Sequence, residues 1–167
     1  MSGAIGPDEF EEFYGATRRA LRSYISRVAG SDSAADDILQ ESYVRLLNAP
    51  LVPADKRKAY LYRVATNLIL DHQRAVSRQR RWWQWWPAAP EAVASSADLA
   101  TDLGRLFGQL PAKERALLWL AYVEGADHRE IAEIVHVGEK SVKVLLYRAR
   151  RKMEEILRDH GYEAGHD

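Results

Sequence analysis

Residues 127–153, DHREIAEIVHVGEKSVKVLLYRARRKM, predict two helices joined by a tight turn in this 167-residue protein. Asp127 can cap a short first helix, whose apolar side is formed by Ile131, Ala132, Ile134 and Val135. Gly138 lies in the connection, where it is free to adopt a turn conformation. In the second helix, spacings of four, three and four residues predict one buried stripe, formed by Val142, Leu146, Ala149 and Met153.

The opposite side of the second helix is mostly basic and aromatic. It carries Lys140, Lys143, Val144, Tyr147, Arg148 and Arg151. A short helix, a tight turn and a helix with one buried and one basic face are typical of a helix-turn-helix. In that motif the second helix enters the major groove, where its early residues contact base edges and its cations contact phosphates. An antiparallel helical hairpin with a solvated basic face is the alternative at this point.

The rest of the chain also follows the helical period, and no strand alternation competes with it. Helices are predicted at about residues 10–28, 31–48, 55–80, 99–108, 112–123, 127–135 and 139–158. Gly30 is suited to end the first helix, Ser31 or Asp32 to cap the second, and Pro111 to start a later one. The stretch WWQWWPAAPEAVASSA (82–97) lacks this period. We therefore expect an all-α fold of two small helical domains joined by a flexible linker, with the helix-turn-helix in the C-terminal one.

Charge is balanced overall but segregated along the chain. The 24 Lys and Arg residues equal the 24 Asp and Glu residues, yet residues 56–81 carry a net +7, residues 140–152 a net +6 and the remainder −13. Two separate basic segments suggest two contacts with a polyanion, although two solvated helix faces would give the same pattern. The absence of Cys excludes disulfides and thiolate metal sites. The chain also lacks an apolar stretch of membrane-spanning length, a signal peptide and a Gly-rich phosphate-binding loop, so a cytoplasmic protein without a nucleotide cofactor is expected.

The third predicted helix has one apolar and one polar side. Its buried stripe is predicted to consist of Leu61, Val64, Ala65 and Leu68. The other side carries Tyr60, Arg63, Asn67, Arg74 and Arg78. Cations interleaved with a ring and an amide suit single-stranded nucleic acid, because rings stack on unpaired bases and Arg binds phosphates. Packing of Tyr60 and Tyr62 in the core is the competing interpretation.

The second predicted helix carries a polar face opposite its apolar side. Asp37, Gln40 and Glu41 project together because they are spaced by three and four residues. Such a face can bind a protein partner. A metal-dependent hydrolase would instead use these carboxylates with Asp36 and His72, which helical geometry divides between faces.

Three segments in this order resemble the extracytoplasmic-function (ECF) sigma factors, the small two-domain sigma subunits of bacterial RNA polymerase. DDILQESYVRLL (36–47) is similar to the helix with which that family binds the polymerase clamp. KAYLYRVATNLILDHQR (58–74) is similar to its promoter-melting and −10-recognising helix. LPAKERALLWLAYVEGADHREIAEIVHVGEKSVKVLLYRARRKM (110–153) is similar to its −35-binding domain.

The resemblance implies domains at 8–81 (sigma region 2) and 98–158 (region 4), with a linker at 82–97. Asp37, Gln40 and Glu41 would bind the β′ clamp coiled coil. The −10 element would be held by Lys56, Arg57, Tyr60, Arg63, Asn67, Arg74 and Arg78. The −35 element would be bound by Lys140, Lys143, Val144, Tyr147, Arg148 and Arg151. Pro111 through Val123 would lie near the β flap, and an anti-sigma factor would cover the polymerase-binding surfaces of a free monomer.

Some residues depart from the family pattern. Tyr60 replaces a usual Trp, His136 a usual turn Gly, Val144 a small polar residue, and Leu145 a frequent Arg. The last three leave open which −35 sequence is recognised and how strongly. The indoles of WWQWW could stack on template DNA, pack between the domains or bind an inhibitor. A dimeric helix-turn-helix repressor is the remaining alternative, and it would need neither the acidic face nor the Asn67 helix.

Overall fold

Seven α-helices and one 3-10 turn make up the computed structural model, which describes residues 4–83 and 102–162. The helices are α1 (Pro7–Ala29), α2 (Asp32–Asn48), α3 (Arg57–Trp83), α4 (Asp102–Gly108), α5 (Ala112–Tyr122), α6 (His128–Val135) and α7 (Glu139–Asp159). The 3-10 turn, Ala54–Lys56, leads directly into α3. The predicted all-α class is confirmed, and the described ranges contain no strand.

Cap residues determine where the first two helices end and begin, as the sequence predicts. Gly30 has φ 68°, and its N–H donates to Ser26 O at 2.9 Å, which closes α1. The next residue, Ser31, accepts a hydrogen bond on Oγ from the Ala34 N–H at 3.3 Å and so caps α2. The turn between the two helices is therefore one left-handed glycine followed by one capping serine.

Helices α1, α2 and α3 pack on one another and form the core of the N-terminal half. Buried residues include Leu21, Tyr24, Ile25, Ile38, Leu46, Leu61, Tyr62 and Ile69. The Tyr24 hydroxyl lies 2.7 Å from Thr66 Oγ1, so the polar groups of this core bond to each other. Two details differ from the sequence prediction. The buried side of α3 is shifted to include Tyr62, Thr66 and Ile69, and Leu47, which the helical spacing of α2 predicts on its apolar side with Ile38, Leu39 and Leu46, is 48% exposed.

The C-terminal half contains the predicted helix-turn-helix as α6 and α7. Asp127 Oδ1 accepts from the Glu130 N–H at 2.8 Å and caps α6. The predicted stripes are buried on both helices, apart from partly buried Met153, and α5 packs against α6 and α7. Helix α4 contacts α7 and α1.

The turn between α6 and α7 differs from the prediction. His136, not Gly138, adopts the left-handed conformation, with φ 61°. Gly138 has an ordinary extended backbone (φ −68°) and is the N-terminal cap position of α7. A left-handed residue with a Cβ is disfavoured by contact with its own backbone, so the turn carries a local conformational cost.

Replacing His136 with glycine should raise the free energy of unfolding by about 0.5 to 1 kcal/mol. Glycine relieves the left-handed strain, and the exposed imidazole contributes little packing that could be lost. Urea unfolding followed by circular dichroism measures the change. His136→Ala is the control, because alanine retains a Cβ and should give no gain. A glycine variant no more stable than the alanine variant would contradict the left-handed turn.

The two halves share one continuous hydrophobic cluster. Helix α1 packs on α5, and α3 packs on both α6 and α5. Polar contacts cross the same boundary: the Tyr62 hydroxyl donates to Glu124 Oε1 at 2.7 Å, and Arg115 reaches the Val28 carbonyl from α5. The first two residues of the predicted linker, Trp82 and Trp83, belong to the end of α3, and the rest of that linker lies outside the described residues.

Candidate functional site

The acidic face of α2 consists of Asp37, Gln40 and Glu41, and all three are exposed. Ile38 and Leu39 point to the core between them, which fixes this orientation. Glu41 Oε1 accepts from Arg45 Nε at 3.0 Å within the helix. Further along the same side the exposed residues become apolar. They are Val44 and Leu47, exposed by 41% and 48%, and Leu51 in the following loop is 74% exposed.

The basic face of α3 is exposed along most of its length. Arg63, Asn67, Arg74 and Arg78 are open to solvent, and Arg74 is bonded to Asp71 at 3.3 Å. Tyr60 is half-buried and packs against the core, so part of its ring is available on this face. Tyr62, in contrast, is 2% exposed. Of the two tyrosines, only Tyr60 has a partly exposed side chain.

Lys56 and Arg57, at the start of α3, are engaged by carboxylates of other helices. Lys56 Nζ lies 3.8 Å from Glu133 Oε1 of α6. The Arg57 guanidinium is bonded to Glu9 of α1, its side chain is only 12% exposed, and its Nε has no hydrogen-bond partner. This hydrogen bond and the accompanying charge hold the pKa of the Glu9 carboxyl below its ordinary value. A phosphate binding here would compete with these carboxylates for the two cations.

The outer face of α7 presents the six predicted residues together, and all six are exposed. Val144 and Tyr147 are 50% and 53% exposed, although both are hydrophobic. The Arg151 guanidinium carbon lies 6.0 Å from the centre of the Tyr147 ring. Within residues 4–83 and 102–162, no ion pair involves the cations of this face, Lys140, Lys143, Arg148 and Arg151. Exposed cations without acidic partners suit a polyanionic ligand.

Two functional features were not predicted from the sequence. Glu124 is an acceptor for Tyr62 and also lies 3.9 Å from Lys58 Nζ, so it connects α3 to the loop after α5. Burial, followed by the adjacent Glu124 carboxylate, raises the pKa of Tyr62, so its hydroxyl stays protonated and donates. Arg115 is also buried at 6% exposure. Arg115 follows Lys113 and Glu114 and comes directly before the apolar stretch that starts at Ala116, so the sequence contains no signal that this cation is buried.

An apolar groove of about 570 Å³ lies between α4, α5 and α7. Its apolar lining includes Leu103, Phe107, Leu118, Trp119, Tyr122 and Met153. Trp119 Nε1 is buried without a hydrogen-bond partner among the described residues. The α5 residues of this groove belong to the segment for which the family resemblance implies a polymerase contact.

The donor set for a metal-dependent hydrolase does not converge. Asp36 is bonded to Arg22 at 3.0 Å, while Asp37 and Glu41 point to solvent. Across the described part of the chain, no group of three or more His, Asp or Glu side chains is arranged to hold a metal ion. Within the same residues, no helix is both long and apolar enough to cross a membrane.

Comparison with known proteins identifies both halves of the chain. Residues 13–79 match the family model for sigma-70 region 2, and residues 100–153 match that for sigma-70 region 4. The chain is 31% identical over 149 residues to the ECF RNA polymerase sigma factor SigD of Mycobacterium tuberculosis, covering 82% of this chain and 69% of SigD. It is 26% identical over 171 residues to SigL of the same species, covering 96% and 97% of the two chains.

A solved structure has a similar fold. It is the sigma factor RpoE in complex with the anti-sigma factor NepR from Bartonella quintana, with a TM-score of 0.68 and 20% sequence identity. The match covers 90% of this chain and 97% of that one, so the likeness extends over both helical halves.

Proposed function

This chain belongs to the ECF family of RNA polymerase sigma factors. From that membership we propose which partner each of its exposed faces binds during transcription initiation. It is an alternative sigma factor that directs promoter-specific transcription. The observation that carries the proposal is that three separate polar faces, on α2, α3 and α7, are exposed while the apolar sides of the same helices are buried. One face is acidic and two are basic, as one protein contact and two DNA contacts require.

The acidic face of α2 binds core RNA polymerase at the β′ clamp coiled coil. Asp37, Gln40 and Glu41 supply the polar contacts, and exposed Val44 and Leu47 continue the same side of the helix. The apolar groove beside α5 is the corresponding site for the β flap. Both surfaces are accessible in the free chain, and an anti-sigma factor covers them when the protein, a cytoplasmic monomer, is held inactive.

The basic face of α3 holds the unpaired −10 element. Asn67 and Arg63 bind a flipped base, Tyr60 offers a partly exposed ring, and Arg74 and Arg78 bind the backbone. Lys56 and Arg57 join them once phosphates replace Glu133 and Glu9. Trapping unpaired bases supplies free energy for opening the duplex, so melting by this protein needs no nucleotide hydrolysis.

The outer face of α7 binds the −35 element in the major groove of duplex DNA. Its cations contact phosphates, and the residues between them face the base edges. Direct contact with one duplex site and one unpaired site gives promoter specificity without catalysis. The protein is thus a non-enzymatic specificity subunit.

The first test is a pull-down with purified bacterial core RNA polymerase, with and without promoter DNA. Stoichiometric binding to core without DNA is expected. Tight binding to duplex DNA by a dimer that fails to bind core would replace this proposal with a repressor.

The Asp37→Ala, Gln40→Ala double variant should bind core about fivefold more weakly, because two solvent-exposed polar contacts are lost and each contributes about 0.5 kcal/mol. Fluorescence titration of labelled protein with core measures the change. Both side chains are exposed, so circular dichroism should be unchanged. The matched control, Asp159→Ala with Gln109→Ala, removes an acid and an amide from other exposed positions. Equal affinities for the two double variants would remove the clamp assignment.

A further inference from the structure

Val144 lies at the centre of the outer face of α7. Lys140, Tyr147 and Arg151 are spaced four, three and seven residues from it, and at 100° per residue all three fall within about 60° of Val144 on the helix surface. Lys143 and Arg148 flank this stripe on its two sides. An apolar side chain with 50% of its surface exposed is therefore surrounded by cations that have no acidic partner in the described chain.

The position of Val144 along α7 places it among base edges. It is the sixth residue of the helix, and the N-terminal residues of a recognition helix are those that contact bases. Tyr147 and Arg151 follow one and two turns later, and the Arg151 guanidinium carbon lies 6.0 Å from the centre of the Tyr147 ring. The early face of α7 thus combines long cations that reach phosphates with one short apolar side chain between them.

The chemistry of valine restricts what it can recognise. It has no donor or acceptor, so it cannot pair with the polar edges of guanine, cytosine or adenine. In the major groove the apolar group of a base pair is the 5-methyl of thymine. Valine on a helix is also nearly fixed in one χ1 rotamer, so its methyl groups are held in place before DNA binds.

The neighbouring residue removes a competing mode of recognition. Leu145 is partly buried and packs against the core, so it does not extend into the groove. An arginine at such a position could bond to guanine in a bidentate manner. With leucine at position 145 that hydrogen bond is missing, so the contact made by Val144 contributes a larger share of the preference for one −35 sequence over another.

We propose that Val144 is a specificity-determining residue that recognises a thymine in the −35 element through its 5-methyl group. This inference rests on the proposed function, since it requires α7 to occupy the major groove of the −35 duplex. It adds the identity of a base and the chemical group by which that base is recognised.

The test uses the full chain assembled with bacterial core RNA polymerase. The holoenzyme first selects its preferred −35 sequence from duplexes randomised at that element. Each thymine of the selected element is then replaced in turn by deoxyuridine, which removes only the methyl group. At one position this should weaken binding about fourfold, the effect of burying one methyl group at 25 °C.

Two variants assign that effect to Val144. In Val144→Ala the deoxyuridine penalty should fall to near onefold, whereas Val144→Thr, which keeps one methyl and the β-branched shape, should retain much of it. The penalty should also be independent of salt concentration, because no charge is involved, whereas loss of a phosphate contact depends on salt.

The outcomes separate this inference from the proposed function. Selection of a −35 element without any methyl-sensitive thymine, or an equal penalty in wild type and Val144→Ala, overturns the role of Val144 and leaves the sigma function intact. Failure of the holoenzyme to form or to enrich any −35 sequence overturns the proposed function and this inference together. Val144 is exposed and outside the core, so each variant should fold normally.

Discussion

Replacing Arg115 with methionine should lower the free energy of unfolding by about 3 kcal/mol. The guanidinium is buried and donates to three backbone carbonyls. Nε and Nη2 donate to Val28 O at 2.9 and 2.6 Å, and Nη1 donates to Gly108 O at 3.1 Å and to Leu110 O. Methionine has a similar length but no donor, so these acceptors would be left buried without partners.

Arg115 also acts on the charge at the end of α1. Val28 is next to the last residue of that helix, where carbonyl groups lack partners and carry partial negative charge. Burial lowers the pKa of Arg115, but an arginine guanidinium stays protonated in proteins, so the cation remains opposite this helix end. One side chain therefore closes the C-terminus of α1 and joins it to α4 and α5.

Urea unfolding followed by circular dichroism and tryptophan fluorescence measures the effect. Arg105→Met is the matched control, because Arg105 is an exposed arginine paired with Asp102 and its loss should change stability by less than about 0.5 kcal/mol. Arg115→Lys should fall between wild type and Arg115→Met, since an ammonium keeps the charge but not the planar fork. A methionine variant as stable as wild type would show that the buried guanidinium contributes nothing.

The Lys143→Ala, Arg148→Ala double variant should bind promoter duplex about thirtyfold more weakly at 0.15 M salt as holoenzyme. This figure follows from the loss of two phosphate contacts, each contributing about 0.9 to the slope of log affinity against log salt. The slope itself should become less negative by about 1.8. Binding measured between 0.05 and about 0.3 M salt gives both quantities.

The control for this variant removes the same charge elsewhere. Arg105→Ala with Lys152→Ala also deletes two cations, but these are bonded to Asp102 and Glu114 in the free protein. Its salt slope should match that of wild type. A promoter with a scrambled −35 element should cause little further loss in Lys143→Ala, Arg148→Ala. If both double variants shift the slope equally, net charge and not the α7 face would explain the effect.

Features encoded by neighbouring residues could be predicted from the sequence. Gly30 ends α1, and Ser31 and Asp127 cap the starts of α2 and α6. Each of these residues forms its hydrogen bond with a residue three or four positions away. The exposed faces of α2 and α7 were predicted for the same reason, since spacing alone places their residues together. The assignment of these faces to polymerase and DNA came from the family resemblance.

Features that depend on contacts between distant helices could not be predicted in this way. Periodicity indicates that α3 has an apolar side but not that the C-terminal half covers part of this helix, so it left the burial of Tyr62 as one of two open interpretations. The engagement of Lys56 by Glu133 has the same origin. At the α6–α7 turn, glycine preference pointed to Gly138, yet the end of α6 after Val135 puts His136 at the left-handed position.

The hydrophobic cluster shared by the two halves limits how sigma factors of this kind can be recombined. A chimera joining residues 4–83 to a foreign C-terminal domain keeps the Val28 carbonyl and the Tyr62 hydroxyl, but receives their partners from the other parent. Parents with arginine and glutamate at the positions of Arg115 and Glu124 supply matching groups. Other parents leave the Val28 carbonyl without its donor, the Tyr62 hydroxyl without its acceptor, and apolar surface of α1 and α3 uncovered, so promoter specificity cannot be exchanged in this protein as an independent module.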